Sequence, residues 1–167
     1  MPFLESFKVR EPEDALDVKL LSDISNVGYQ IVGISADGDM EKLEYAFTVG
    51  CYFSFGIPEV VLHGMRWASA RSLIAAYVDW GKTRPVAPSP CITEDLANFP
   101  LLLREVDLSW YRPLLGYGIW FYRDLGFPFP CLQIAWPDQN GNFDHEKEFD
   151  ARYRTIQPNL SSPRIES

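Results

Sequence analysis

The sequence predicts a single α+β domain: a mostly antiparallel sheet of about five strands, with two or three helices packed on it. Strand-like segments follow one another closely in the first third of the chain, without crossover helices between them. Two other segments have the apolar spacing of amphipathic helices. The chain has 167 residues, 47% of them hydrophobic, which is the size of one domain with its own core.

The first third predicts a helix followed by a small antiparallel meander. The helix covers 14–25 and stops at Gly28, since glycine readily takes the left-handed conformation that ends helices. Its apolar positions recur three apart: Ala15, Val18, Leu21 and Ile24. We predict strands over 29–35, 45–49 and 59–62, with a turn at 37–39 and a loop over 53–58.

The middle of the chain predicts one long helix and a proline-rich loop. Strong helix formers fill 68–80, and Gly81 is expected to end this helix. Its core-facing positions are Ala70, Leu73, Ile74, Tyr77 and Val78. Over 83–100 we expect an exposed loop around a short strand, because prolines deny the backbone its donors at four positions: Pro85, Pro88, Pro90 and Pro100.

The last third predicts two strands separated by an irregular helix. Ser109 is expected to cap a helix over 110–123, whose middle is weakened by Gly116 and Gly118. The strands are predicted over 101–106 and 131–136, with a turn at 137–142. In domain terms, we expect a loosely attached arm over 1–13, one domain over 14–160 and a flexible tail over 161–167.

The charge balance excludes some partners and favours others. The chain has 15 Lys and Arg against 23 Asp and Glu, a net charge of −8. Such a chain repels phosphate backbones and anionic lipid, so we expect no nucleic acid and no membrane as partner. A basic protein is the favoured partner, because acidic faces attract basic ones.

The cysteines and the N-terminus bear on location and cofactors. Cys51, Cys91 and Cys131 are odd in number and form no CxxC pair, which argues against a disulfide framework and a zinc ribbon. We find no secretory leader and no apolar run of membrane-spanning length. We therefore expect a cytoplasmic protein with no cofactor and no bound metal.

Four segments together resemble a known family: 44–50, 58–64, 132–143 and 157–160. In order and spacing they are similar to the mainly bacterial domain-of-unknown-function family 4262. The resemblance covers about 14–160 and implies the family's fold and a bacterial, cytosolic setting. It implies no activity. Cys51 replaces the family's usual aliphatic residue, which speaks against a role as a family nucleophile.

Three local patterns are similar to catalytic or metal-binding arrangements, and each also has a structural explanation. Trp136-Pro137-Asp138 is similar to the acid loop of tyrosine phosphatases, but no cysteine is followed six residues later by the arginine that this chemistry needs. The alternating oxygen-bearing residues over 138–146 suit a calcium loop only poorly, because Gly141 is misplaced, so a hairpin turn is favoured over a weak cation site. A pairing of Cys51 with His63 is a remaining, less favoured alternative to structural roles.

Glu59 is the most informative candidate, because an ionisable side chain beside apolar residues is costly to bury without a partner. It is either a solvated residue at a strand entry or the centre of a buried polar cluster. Any pocket is expected where Gly50, 58–64 and 133–138 converge. The candidate binding residues are Tyr45, Thr48, Glu59, His63, Gln133 and Asp138, and none is assigned a catalytic role.

Two functions of different class follow. The favoured one is a non-catalytic binding protein, for instance of the immunity or antagonist type, that covers a basic protein. The alternative is a small-molecule-binding domain or hydrolase-type enzyme that uses the cluster around Glu59 and His63, with either residue as general base.

Overall fold

The computed structural model describes residues 1–84 and 90–165. In this part of the chain, one sheet carries all six strands: β1 (Gln30–Ile34), β2 (Tyr45–Val49), β3 (Glu59–His63), β4 (Cys91–Thr93), β5 (Leu101–Glu105) and β6 (Cys131–Ala135). The helices are α1 (Ala15–Val27), α2 (Cys51–Phe55), α3 (Trp67–Lys82), α4 (Tyr111–Leu114) and α5 (Gly116–Phe121). Short 3-10 turns form at Leu108–Trp110 and Ala151–Arg154.

The α+β class is confirmed, but the sheet is mixed and has six strands rather than five. Its order is β1-β2-β3-β6-β5-β4. The predicted meander β1-β2-β3 is antiparallel, whereas β6 lies parallel to β3, with Glu59 opposite Cys131. The chain leaves β5, forms α4 and α5 across one face, and re-enters the sheet beside β3 in the same direction. Local strand signals carry no information about that return.

The sheet separates two apolar layers. Alternate residues of β3 point to opposite faces: Val60 and Leu62 pack in the layer that includes α3, and Val61 packs in the layer that includes α1 and α5. We call these the α3 face and the α5 face. The predicted stripe of α3 is fully buried: Ala70, Leu73, Ile74, Tyr77 and Val78. Gly81 does not end the helix, which continues to Lys82. A Cβ at Gly81 would come within 3.2 Å of the Ile57 side chain, so the glycine serves close packing.

Two helix predictions need correction. In α1 the predicted stripe is partly wrong: Val18 is 54% exposed, while Leu20 is buried. Positions three apart drift about 60° per step around a helix, so such a series leaves the buried face. The predicted helix over 110–123 is broken at Leu115 into α4 and α5, and Ser109 is not its cap. The Asp107 carboxylate instead accepts the Ser109 amide at 3.0 Å and caps the preceding 3-10 turn.

The predicted loop over 53–58 is also wrong at its start, because α2 occupies Cys51–Phe55. The chain enters α2 through Gly50, whose φ is +111°. A Cβ at this position would come within 2.7 Å of the Gly28 carbonyl oxygen. Glycine is therefore required there for both its conformation and the close approach of the two segments.

The N-terminal arm and the tail make the following contacts. The amides of Phe3 and Leu4 donate to the carbonyls of Ser54 and Phe53. The ring of Phe7 packs in the α5-face layer. Near the other end, the indole of Trp110 donates to the Ser162 carbonyl at 2.7 Å. Pro85 and Pro88 of the predicted loop and the tail residues 166–167 lie outside the described residues.

Candidate functional site

The carboxylate of Glu59 is buried and fully hydrogen-bonded. Glu59 is 1% exposed. Its Oε1 accepts the Thr48 hydroxyl at 2.7 Å and the Cys51 amide at 3.1 Å. Its Oε2 accepts the amides of Gly50 at 3.2 Å and Tyr52 at 3.0 Å, together with the Tyr122 hydroxyl. The solvated alternative for Glu59 is therefore wrong, and the carboxylate links β2, α2 and the end of α5.

The local chain direction explains why so many donors meet there. The left-handed Gly50 turns the chain sharply after β2, so that three successive amides at the start of α2 point at the first residue of β3. A carboxylate accepts several such bonds, whereas a neutral side chain of the same length accepts fewer. Glu59 therefore satisfies backbone donors that would otherwise be buried without an acceptor.

Burial shifts the titration of the groups in this cluster. Burial raises the pKa of Glu59, and the hydrogen bonds from Tyr122, Tyr52, Thr48 and Cys51 oppose that rise. Burial also raises the pKa of the Cys51 thiol, and the nearby Glu59 charge raises it further. Cys51 is 0% exposed. A buried thiol held neutral is a poor nucleophile.

His63 and Tyr45 lie at the opposite end of β3 from Glu59. They are register partners, and their rings stack with centroids 5.1 Å apart. The Cα atoms of Glu59 and His63 are four positions apart along the strand, which places them roughly 13 Å from each other. His63 is 7% exposed, its Nδ1 has no hydrogen-bond partner, and burial lowers its pKa to about 4. It is a neutral core residue at neutral pH and lies far from Cys51.

Gln133 belongs to a third arrangement that the sequence analysis missed. Its Oε1 accepts the Nε of Arg104 and the Leu160 amide, each at 3.0 Å. Arg104 also donates to both oxygens of Asp144 at 2.7 Å, and this ion pair is buried. The sequence does indicate this arrangement, because Arg104 stands inside the apolar run 101–106 and a buried guanidinium requires a carboxylate partner. Gln133 thus holds the C-terminal segment onto the α5 face.

Asp138 lies in the turn after β6. Its Oδ1 accepts the amides of Asn140 and Asn142, each at 2.9 Å, and its Oδ2 accepts the Asp150 amide at 2.8 Å. These bonds lower its pKa against the opposing effect of burial. This is the arrangement of a turn-forming carboxylate. Within the described residues no group of three potential ligand side chains is placed to hold a metal ion.

The six candidate residues therefore do not form one pocket. The structure brings Thr48 to Glu59 and Tyr45 to His63, but these pairs are at opposite ends of β3, with Gln133 between them and Asp138 beyond β6. The alternative that uses both Glu59 and His63 on one substrate requires side chains to meet that the strand keeps apart.

An open acidic pocket, which the sequence analysis also missed, lies between the start of α1 and α5. Its volume is about 350 Å³, and it is lined by Glu13, Asp14, Asp17, Gly116, Tyr117 and Trp120. The signal in the sequence was the acidic run before α1, Glu11-Pro12-Glu13-Asp14, followed by Asp17. Only the fold reveals that the aromatic side chains of α5 face it. We refer to it as the acidic pocket.

A second open concavity of about 570 Å³ lies over β4 and β5, at the sheet edge. Its lining is Pro90, Ile92, Leu102, Arg104, Glu105, His145, Asn159 and Ser161. The lining is mixed in polarity, and Arg104 reaches it while bound to Asp144.

Together the fold and these sites define a small α+β protein whose buried polar groups hold its own sheet, helices and termini together. A model of the family described as a domain of unknown function, DUF4262, matches residues 23–150, and the chain belongs to this family. No curated protein and no solved structure matches the chain. None of the helices in the described ranges is both long and apolar enough to cross a membrane.

Proposed function

We propose that this protein is a non-catalytic binding protein that covers a basic protein partner, of the antagonist or immunity type, in the bacterial cytosol. The observation that carries the proposal is uncompensated acidic charge. The whole chain has 23 Asp and Glu, and five ion pairs form within residues 1–84 and 90–165. Against these acidic residues stand 15 Lys and Arg, so the chain carries a net charge of −8, and such a field accelerates association with a basic surface.

The state of the polar core supports binding rather than catalysis. The oxygens of Glu59 already accept five hydrogen bonds from the chain, so the carboxylate is not available to a substrate. Cys51 is sealed, and His63 is neutral and buried. The three thiols are free, which fits a reducing compartment.

The experiment is affinity capture from a bacterial lysate with the tagged chain at 50 mM and 300 mM NaCl, followed by purification of the captured protein and rebinding. We expect a protein of positive net charge that rebinds with a Kd at least about tenfold weaker at the higher salt. Failure to recover any protein that rebinds in purified form, or a Kd insensitive to salt, would refute the proposal.

A small-molecule-binding role is the second candidate, and the concavity beside Arg104 is the observation that favours it. Native mass spectrometry of the freshly purified chain separates the two. A bound metabolite that His145→Ala or Asn159→Ala removes would support the second candidate.

A further inference from the structure

Asp17, at the acidic pocket, is a buried carboxylate with an unused oxygen. Asp17 is 4% exposed. Its Oδ2 accepts the Glu13 amide at 2.9 Å, and its own amide donates to the capping carboxylate of Asp14 at 2.8 Å. Within the described ranges its Oδ1 accepts no hydrogen bond, and no Lys or Arg pairs with it. Helix capping therefore explains one oxygen of Asp17 and leaves the other unexplained.

The unused oxygen of Asp17 is accessible to solvent. Among the described residues, the sealed side-chain atoms without a partner are His63 Nδ1 and Trp120 Nε1, so Asp17 Oδ1 is not sealed. Asp17 itself lines the pocket. A carboxylate oxygen with no donor from its own chain is free to accept a hydrogen bond from a ligand. A ligand that supplies a positive charge and N–H donors would satisfy it.

The walls of the pocket also suit a cation. Tyr117 and Trp120 present aromatic rings, whose faces attract ammonium and guanidinium groups. The Trp120 ring already makes a cation–π contact within this chain, with the Arg10 Cζ 4.9 Å from its centroid. Arg10 also pairs weakly with Glu13 at 3.8 Å, which leaves Asp14 and Asp17 as the uncompensated carboxylates of the pocket. Burial and these two carboxylates raise the pKa of Tyr117.

We propose that the acidic pocket receives a lysine or arginine side chain of the partner, with Asp17 as its counter-ion and Tyr117 and Trp120 as aromatic walls. The inference rests on the proposed function, since it states where and how the basic partner is recognised. It commits to charge complementarity with a cationic side chain, not to a metal or a neutral ligand.

The test is an NMR titration of the ¹⁵N-labelled full chain with two short peptides, acetyl-Gly-Gly-Arg-Gly-Gly-amide and its lysine counterpart, at low salt. The citrulline peptide is the control, because it keeps the shape of arginine without the charge. The indole N–H of Trp120 is a natural reporter, assigned from the cross-peak that Trp120→Phe removes. We expect the cationic peptides to shift this signal and the amides of 13–17 and 116–120, and the citrulline peptide to leave them unchanged.

Two variants remove the charge while keeping the helix cap. Asp17→Asn retains an acceptor for the Glu13 amide, and Asp14→Ser retains a capping hydroxyl. Each should weaken binding of the cationic peptides by about tenfold. Asp79→Asn, an equal charge change at an exposed position of α3, should leave it unchanged. Unaltered spectra elsewhere in the chain verify that each variant is folded.

The inference would be refuted if the citrulline peptide shifted the same signals as strongly, or if the shifts lay outside the pocket. It would also be refuted if both folded variants bound the cationic peptides as tightly as the wild type. Its failure differs from failure of the proposed function. A basic partner captured equally by wild type and Asp17→Asn would refute the pocket alone, whereas the absence of any salt-sensitive basic partner would refute the proposed function.

Discussion

Replacement of Glu59 by glutamine should destabilise the fold by about 3 kcal/mol. Glutamine accepts through one oxygen, whereas the native carboxylate accepts five bonds through two. Its best orientation places the oxygen toward the amides of Gly50 and Tyr52 and turns its NH₂ toward Thr48 and Cys51. The Thr48 hydroxyl can rotate to accept, but the Cys51 amide cannot and is left without an acceptor.

The magnitude follows from these contacts. One orphaned buried amide costs about 1–3 kcal/mol, and each remaining bond weakens by about 1 kcal/mol when its acceptor loses its charge. Relief from burying that charge offsets part of the loss. The net value of about 3 kcal/mol is a large fraction of the stability of a domain this size.

Urea unfolding at pH 7 measures the effect. Glu41→Gln is the matched control, because Glu41 is exposed and its side chain makes no hydrogen bond within the described residues. It should change the free energy of unfolding by no more than about 0.5 kcal/mol. A Glu59→Gln protein as stable as this control would refute the structural role assigned to the carboxylate.

Three further outcomes are expected. Burial lowers the pKa of His63 to about 4 from an ordinary 6.5, so on acidification the unfolded chain binds a proton at a higher pH than the folded chain does. The free energy of unfolding should therefore fall by about 3 kcal/mol through this residue between pH 6.5 and pH 4. His63→Phe should remove that slope in urea unfolding, and parallel profiles would contradict it. Asp144→Ala should cost about 3–5 kcal/mol by stranding a buried guanidinium, against about 0.5 for Arg84→Ala in an exposed pair; equal losses would count against the buried pair. Gly50→Ala should lower the melting temperature far more than Gly38→Ala, which has open space, and similar shifts would disprove the packing argument.

Local signals predicted the elements that depend on local chemistry. The hairpin β1-β2 and the buried stripe of α3 follow from alternation and helical spacing, and the structure has them where the pattern indicates. The burial cost of Glu59 indicated that it needs partners. The pattern could not name Tyr122, which lies 63 residues further along the chain.

The features that the sequence did not reveal depend on distant parts of the chain. Arg104 and Asp144 are 40 residues apart, and the parallel pairing of β3 with β6 depends on how the chain returns over the α5 face. The carboxylates of the acidic pocket are close together in the sequence, but the pocket forms only because α5 lies beside the start of α1. The predicted convergence of Glu59, His63 and Gln133 failed because one strand holds the first two at its opposite ends.

Isothermal titration of the purified chain with the purified captured partner, at 50 mM and 300 mM NaCl, tests recognition of a basic protein most directly. We predict a stoichiometric complex whose Kd weakens by at least about tenfold at the higher salt and shows the same direction of change in Asp14→Ser at constant salt. A partner of neutral or acidic charge, bound with the same Kd at both salt concentrations, would contradict it.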